Sequence, residues 1–187
     1  MALKATVYKA DLQVSDMDRH YYAAHVLTLA QHPSETDQRL MARLVAFVLF
    51  AHERLEFGRG LSEDEDPDLW QRSYTGEIEL WIELGQPDES RLRKASGRAR
   101  QVAVVCYSGN GAEIWWNKNA MALARLKNLT VLDLDPVAIE AATRLLQRGM
   151  KLTAMIQDGE LQLLSDNESV VLKPRTRMMP EPSTQHS

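Results

Sequence analysis

The sequence is poor in the features that would mark a stapled, exported or membrane-bound protein. Its 187 residues include one cysteine, Cys106, which excludes an internal disulfide partner and a cysteine-based zinc site. Cys106 sits in the apolar run 101–107, where a thiol is expected to behave as a small buried hydrophobe. No run approaches the roughly 18 apolar residues that a membrane span needs. Lys4 and Lys9 interrupt the early apolar residues, so no signal peptide is expected and the expected location is the cytoplasm. His32 has no second histidine at ligand spacing. Positive charge is not in excess. The 22 lysines and arginines face 26 acids, a net charge of −4, so any affinity for nucleic acid must come from a local basic patch. No repeat or linker divides the chain, and its length suits one domain with a substantial core.

What is present centres on residues 67–94, and above all on 77–84. Ile78, Leu80, Ile82 and Leu84 fall on one side of that run, and Glu77, Glu79, Trp81 and Glu83 on the other. This period of two predicts a half-buried β-strand. Upstream, residues 3–14 read as a strand. Helical spacing begins at Tyr21 and Tyr22, runs through Leu29, and stops at Pro33. Ser34 can cap the next helix, with Glu35 and Asp37 at its positive end. That helix carries a broad apolar stripe from Leu40 to Leu49, with Arg39 and Arg43 opposite, and is expected to end near Arg54. The acidic run Glu63 to Asp66 falls in a loop, read as solvated rather than as a site. Downstream, a helix is expected at 88–100, an apolar strand at 101–107, a helix at 112–126 with Ile114, Trp115, Ala122 and Leu123 inward, a strand at 129–134, and a helix at 136–148. Three short strands follow at 151–156, 161–164 and 170–173. Asp158-Gly159 supplies a hairpin turn between the first two.

The strand–helix order of 77–134 implies parallel pairing by right-handed crossovers, and the flanking hairpins imply antiparallel additions. The expected fold is α/β, a mixed β-sheet flanked by helices. Residues 1–173 are expected to form the domain and 174–187 a mobile tail.

If 68–72 pairs antiparallel with 77–84, the carboxylates of Asp68 and Glu83 approach each other at one end of the sheet. Hard divalent ions take oxygen ligands, commonly one or two carboxylates with water and phosphate completing the shell. Glu79 lies four strand residues from Glu83, roughly 13 Å away at ~3.3 Å per residue. The two cannot share an ion, so Glu83 needs a partner from another element. Arg91, Lys94 and Arg98 lie three and four apart on one helix face, a row suited to nucleic-acid phosphates. Of the indole pair Trp115-Trp116, one ring is expected in the core and the other either packs or stacks a base.

Pro67-Asp68 followed by Glu83 resembles the metal-binding motif of the PD-(D/E)XK nuclease superfamily. Over nearly its whole length the chain is similar to the bacterial YaeQ family. The matching stretches are 1–6, His32-Pro33-Ser34-Glu35-Thr36, Glu53-Arg54-Leu55, Leu80-Trp81-Ile82-Glu83-Leu84-Gly85, Pro87-Asp88-Glu89, Glu113-Ile114-Trp115-Trp116 and Ile156-Gln157-Asp158-Gly159. The resemblance implies a restriction-endonuclease-like core with added antiparallel strands, and a Mg²⁺ or Mn²⁺ site with Asp68 and Glu83 as ligands and Glu79 as a further metal-site acid. Glu79 or Glu35 would be the accessory acid, although Glu35 can equally be a first-turn acid; Glu53 is a further source. The motif's lysine, two residues after Glu83, is Gly85 here. Lys94 would replace it, with Gln86 as a second candidate. The implied activity is phosphodiester hydrolysis in DNA or RNA. The alternative is a non-catalytic module that binds nucleic acid or a protein through Arg91, Lys94 and Arg98; a purely structural domain is the third reading.

Overall fold

The computed structural model describes residues 4–59 and 65–182. The predicted loop acids Glu63 and Asp64, the first residue of the first expected strand, Leu3, and the last five residues lie outside that range.

Thr6–Asp16 forms β1, and Tyr21–Gln31 forms β2. The two pair antiparallel without a break from Thr6↔Gln31 to Asp16↔Tyr21. The second half of this hairpin corrects the helix expected from Tyr21. Leu27 and Leu29 point inward between exposed Val26, Thr28 and Ala30, which is a period of two. Adjacent apolar pairs such as Tyr21-Tyr22 and Val26-Leu27 satisfy either period, and cross-strand packing against β1 decides between them.

Asp37–Leu49 forms α1. Its cap is Thr36, whose Oγ1 accepts from the Arg39 N–H at 3.1 Å; Ser34 instead meets His32 Nδ1 at 2.6 Å. The helix ends at Leu49, short of Arg54. Every residue from Leu40 to Val48 is buried, including Arg43, in place of the polar side expected for it. A helix buried all round must be covered on more than one side, and this one lies in a core that joins both sheets.

Among the described residues the strands form two sheets rather than the single one expected. The first has the order β10-β9-β8-β1-β2, built with Gly149–Gln157 (β8), Glu160–Leu164 (β9) and Ser169–Leu172 (β10). Asp158 and Gly159 both have positive φ in the β8–β9 turn, and the Asp18 carboxylate accepts from both backbone N–H groups at 2.8 Å. The second sheet has the order β11-β7-β6-β5-β4-β3. Its strands are Leu55–Phe57 (β3), Leu69–Arg72 (β4), Ile78–Leu84 (β5), Ala99–Cys106 (β6), Leu129–Asp133 (β7) and Arg175–Met178 (β11). β5, β6 and β7 are parallel, as the crossovers require. β11 places part of the expected tail as an antiparallel edge strand on β7. Arg177 holds it by ion pairs to Asp133, at 2.7 Å, and to Glu113.

Glu89–Arg98 (α2) and Asn110–Leu123 (α3) cover the outer face of the second sheet, and Pro136–Ala142 (α4) joins α1 between the sheets. Ile114 on α3 is 62% exposed, not inward as expected, and Ala112 is buried instead. Trp115 is the core indole of its pair, its Nε1–H donating to Pro87 O at 2.8 Å, and Trp116 packs half-buried against the same cluster. Cys106 is fully buried, and burial pushes its thiol up to about 12. Among the described residues no helix is long and apolar enough to cross a membrane.

β5 departs from uniform alternation. The β4–β5 register runs Gln71↔Leu80 and then Arg72↔Ile78, an irregularity with an extra residue in β5. A bulge reverses the phase of side chains across it. Ile78 therefore packs with Trp81 on the α2–α3 side, while Leu80, Ile82 and Leu84 face α1. The C-terminal half of β5 is buried on both faces, so Trp81 and Glu83 lie beneath α2 and not on a solvated side.

Phe47 joins the two sheets through α1. Its ring meets His25 of β2 edge-on at 5.0 Å and Phe57 of β3 at 5.7 Å. Phe47→Ala is expected to cost about 3–5 kcal/mol, read as a lowered urea midpoint with an unchanged m value. A cost below about 1 kcal/mol would show that the sheets are not tied through this ring.

Candidate functional site

The β4–β5 hairpin brings the two predicted acids to one end of the second sheet. Its turn closes with the Ser73 N–H on Glu77 O at 2.8 Å and Gly76 at φ +90°. Leu69 then stands opposite Ile82, and one residue further the Asp68 N–H donates to Ile82 O at 3.0 Å. Asp68 Oδ2 accepts from the Leu84 N–H at 2.8 Å, so the side chain closes on the last residue of β5. Pro67, buried before it, leaves no N–H to compete for this position.

Asp68 Oδ1 accepts from Arg39 Nη2 at 2.5 Å. The other end of that guanidinium donates to Glu35 Oε2 at 2.5 Å. Glu35 Oε1 accepts from Arg43 Nη2 at 2.7 Å, and the same nitrogen donates to Ala30 O of β2 at 2.9 Å. A file of alternating charges thus runs from the first sheet, along α1, to the end of β5. Arg39 and Arg43 are four apart, one above the next on α1, and Glu35, the residue before the Thr36 cap, lies beneath both. Glu35 therefore joins the constellation through Arg39.

Glu83 is held from the other side of the sheet. Its Oε1 accepts from Trp81 Nε1–H at 2.8 Å and from Arg91 Nε–H at 2.6 Å. Arg91 Nη2 also donates to Asp66 O at 2.8 Å, two residues before Asp68. Arg91 and Arg98 stand over the Trp81 ring, at 5.9 and 5.2 Å from its centroid. Beside it lies a groove of about 680 Å³ whose lining includes Arg91, Arg93, Lys94, Arg98 and Glu65. The predicted basic row therefore faces one groove. Burial first, and then the Asp68 charge, raise the Glu83 pKa above its ordinary value; the Trp81 and Arg91 contacts oppose this. Each carboxylate has its own cation, Arg39 of α1 for Asp68 and Arg91 of α2 for Glu83.

Arg91, one turn before Lys94, is the α2 residue bonded to Glu83, while Lys94 is exposed along the groove. Glu79 lies near the other end of β5, accepting from Gln71 Nε2 at 2.8 Å and Arg54 Nη2 at 3.0 Å; the bond to Gln71 and then that to Arg54 lower its pKa. Gln86 is exposed and donates to Ser108 Oγ at 2.7 Å. Among the described residues no three His, Cys, Asp or Glu side chains gather as a metal cluster. Gly85 has φ +85°, a conformation that strains any residue with a Cβ. A lysine there would carry that strain, while the Tyr107 ring, 3.9 Å from the Cβ position, is at ordinary contact distance. Tyr107, missed by sequence reasoning, is half-buried within electrostatic reach of Arg39, Asp68 and Glu35, and burial is the main cause of its raised pKa. Arg39 and Arg43 are site residues rather than the solvent-side charges expected. Their four-residue spacing from Glu35 is the signal that could have found them.

The sequence model of the family described as YaeQ protein matches residues 1–174. The YaeQ protein of Escherichia coli K12 is 45% identical over 170 residues, spanning 91% of this chain and 94% of that protein. That of Salmonella typhi is 46% identical over 163 residues, spanning 87% and 90%. The crystal structure of the YaeQ protein from Xanthomonas axonopodis pv. citri matches with a TM-score of 0.92 at 61% identity, covering 94% of this chain and 99% of that one. The YaeQ structure from Pseudomonas syringae matches at 0.88 and 32% identity, covering 93% and 96%.

A raised folded-state pKa means that the folded protein binds the Glu83 proton more tightly than the unfolded chain does. The resulting contribution to stability is present at low pH and is lost as pH rises through the folded-state pKa. Wild type is therefore expected to gain stability relative to Glu83→Gln as pH falls from neutral towards the ordinary value of 4.5. Paired urea titrations at each pH measure the difference; a difference independent of pH would place Glu83 at its ordinary value.

Proposed function

The chain belongs to the YaeQ family, and we propose that it is a nuclease-like protein that hydrolyses phosphodiester bonds in DNA or RNA. The observation that carries this reading is the placement of Asp68 and Glu83 at the same end of the β4–β5 hairpin, beside a groove lined by Arg91, Lys94 and Arg98. In this reading the hairpin with β6 and β7, under α1, is a variant PD-(D/E)XK core with the first sheet as its addition, acting in the cytoplasm.

Two carboxylates with water and a substrate phosphate suffice for one hard divalent ion, Mg²⁺ or Mn²⁺; because Asp68 is engaged by Arg39 and Glu83 by Arg91 from opposite sides of the sheet, loading requires the two carboxylates to converge past the end of β5. Asp68 and Glu83 would hold it. When bound, such an ion lowers the pKa of water and stabilises charge on the phosphoryl oxygens. Arg39 and the Leu84 N–H fix Asp68, and Trp81 Nε1–H orients Glu83. Arg91, Lys94 and Arg98 would take backbone phosphates along the groove, and Lys94 is the amine available to orient the attacking water. Gln86 would assist from the β5–α2 loop. Glu35 acts through Arg39, as an accessory acid that positions Asp68. Glu79 is held by Arg54 and Gln71, and an additional ligand role for it would require leaving both.

A second reading rests on Gly85: without a lysine at that position the chain would bind nucleic acid, or a protein, as a regulatory module through the same basic row. Mn²⁺-dependent cleavage assays on single- and double-stranded DNA and RNA separate the two. The nuclease reading expects cleavage that falls by more than about 100-fold in Asp68→Asn and Glu83→Gln, beyond the ~10–100-fold typical of outer-shell partners. The module expects no cleavage, and binding whose logarithmic salt dependence flattens by roughly 0.9 each time Arg91, Lys94 or Arg98 is replaced by alanine, one phosphate neutralised by each. Cleavage that survives both acid substitutions would end the nuclease reading.

A further inference from the structure

Arg91 spans the two halves of the candidate site. Its Nε–H bonds Glu83 Oε1 at 2.6 Å, and its Nη2 bonds the Asp66 carbonyl at 2.8 Å. The Arg91 side chain is 33% exposed, against 7% for Glu83, and it also lines the basic groove. One guanidinium thus belongs to the carboxylate site and to the phosphate-binding surface at once. It cannot serve both fully, because a charge-assisted bond fixes its donors in one direction.

We infer that Arg91 couples nucleic-acid binding to divalent-ion loading, covering Glu83 in the free protein and moving to a backbone phosphate when the groove is filled. The inference rests on the nuclease-like reading and adds an order of events to it. Carboxylate and phosphate are both good partners for a guanidinium, so the bond to Glu83 has a phosphate bond of the same kind to replace it. Arg98 stands over the same Trp81 ring and keeps that ring covered when Arg91 leaves. Trp81 Nε1–H continues to orient the uncovered carboxylate. Asp66 loses its tie to α2 in the same movement, while Asp68 stays fixed by Arg39 and Leu84. By linkage, whatever nucleic acid does to ion affinity, the ion does equally to nucleic-acid affinity.

The test uses the full chain and counts free Mn²⁺ by electron paramagnetic resonance, which requires no turnover. Without nucleic acid, Arg91→Ala is expected to bind Mn²⁺ about 10-fold more tightly than wild type, within the ~5–150-fold range of ordinary couplings. Arg91→Lys, which keeps a charge but not the fork, should fall between them, and adding Glu83→Gln to Arg91→Ala should abolish the gain. An oligodeoxythymidine of about 12 nucleotides with phosphorothioate linkages should tighten Mn²⁺ binding to wild type by a larger factor than to Arg91→Ala, where only the phosphate's own contact with the ion remains. Equal or weaker Mn²⁺ binding by both folded Arg91 variants, or no binding by any, would overturn the coupling. Cleavage by wild type together with that result leaves the nuclease reading standing. Tightening in Arg91→Ala without cleavage by wild type supports the coupling and refutes the nuclease.

Discussion

The file of charges Arg43–Glu35–Arg39–Asp68 is the constraint on which the site depends. It begins on a β2 carbonyl, follows one face of α1, and ends with Asp68 bonded to the last backbone N–H of β5. Both sheets are registered against one another through it. Desolvating these charges is costly, and a buried ion pair does not by itself stabilise a fold. Removing one member is worse, because a charge is then left buried and unpaired. The file therefore acts chiefly by excluding alternatives: a slip of α1 along its axis would separate Arg39 from Asp68 and Arg43 from the Ala30 carbonyl together. The apolar part of α1 is less discriminating. Leucines, valines and alanines cover it on all sides, and such surfaces pack in more than one register.

The local sequence of the hairpin then needs to do little. Pro67 and the β4–β5 pairing deliver Asp68 to the strand end, and Arg39 arrives from α1 to meet it. The bulge in β5 contributes in a different way. By reversing the phase ahead of Trp81 it leaves Leu80 and Ile82 on the α1 side and sends both Trp81 and Glu83 beneath α2. The two site acids are consequently neutralised by different helices on different faces of one sheet.

Much of this is legible in the sequence, and the failures share a cause. The order of the parallel unit β5–α2–β6–α3–β7 can be read from its succession of strand and helix patterns, but not the bulge in β5 or the outward position of Ile114; the β8–β9 turn can be read because Asp158-Gly159 admits few conformations. β2 cannot, since Tyr21-Tyr22 and Val26-Leu27 fit both periods and only β1 resolves them. The site acids and the basic row emerge from motif and spacing. Their partners are harder. Arg39 and Arg43 are ordinary polar-face residues in any helical projection, and their burial follows from α1 lying between two sheets, an arrangement that no local pattern announces. The exchange of Lys94 for Arg91 on Glu83 has a similar origin. Both lie on the same side of α2, and which of them reaches β5 is set by how the helix lands on Trp81.

Gly85 changes meaning in this light. A lysine expected at that position would need a strand conformation, whereas φ is +85° and the chain turns away under Tyr107. The residue and the backbone differ together, so restoring the lysine alone would not restore its place. Cationic charge enters instead from the two helices, and it enters unequally. Arg39 is 17% exposed and held by two acids, one of them Glu35, nearly fully buried. Arg91 is 33% exposed and borders open solvent along the groove. One carboxylate is therefore fixed by the core and the other by a residue that a strand of phosphates can reach. A site built this way keeps its geometry through Asp68 and leaves Glu83 as the half that responds to what enters the groove.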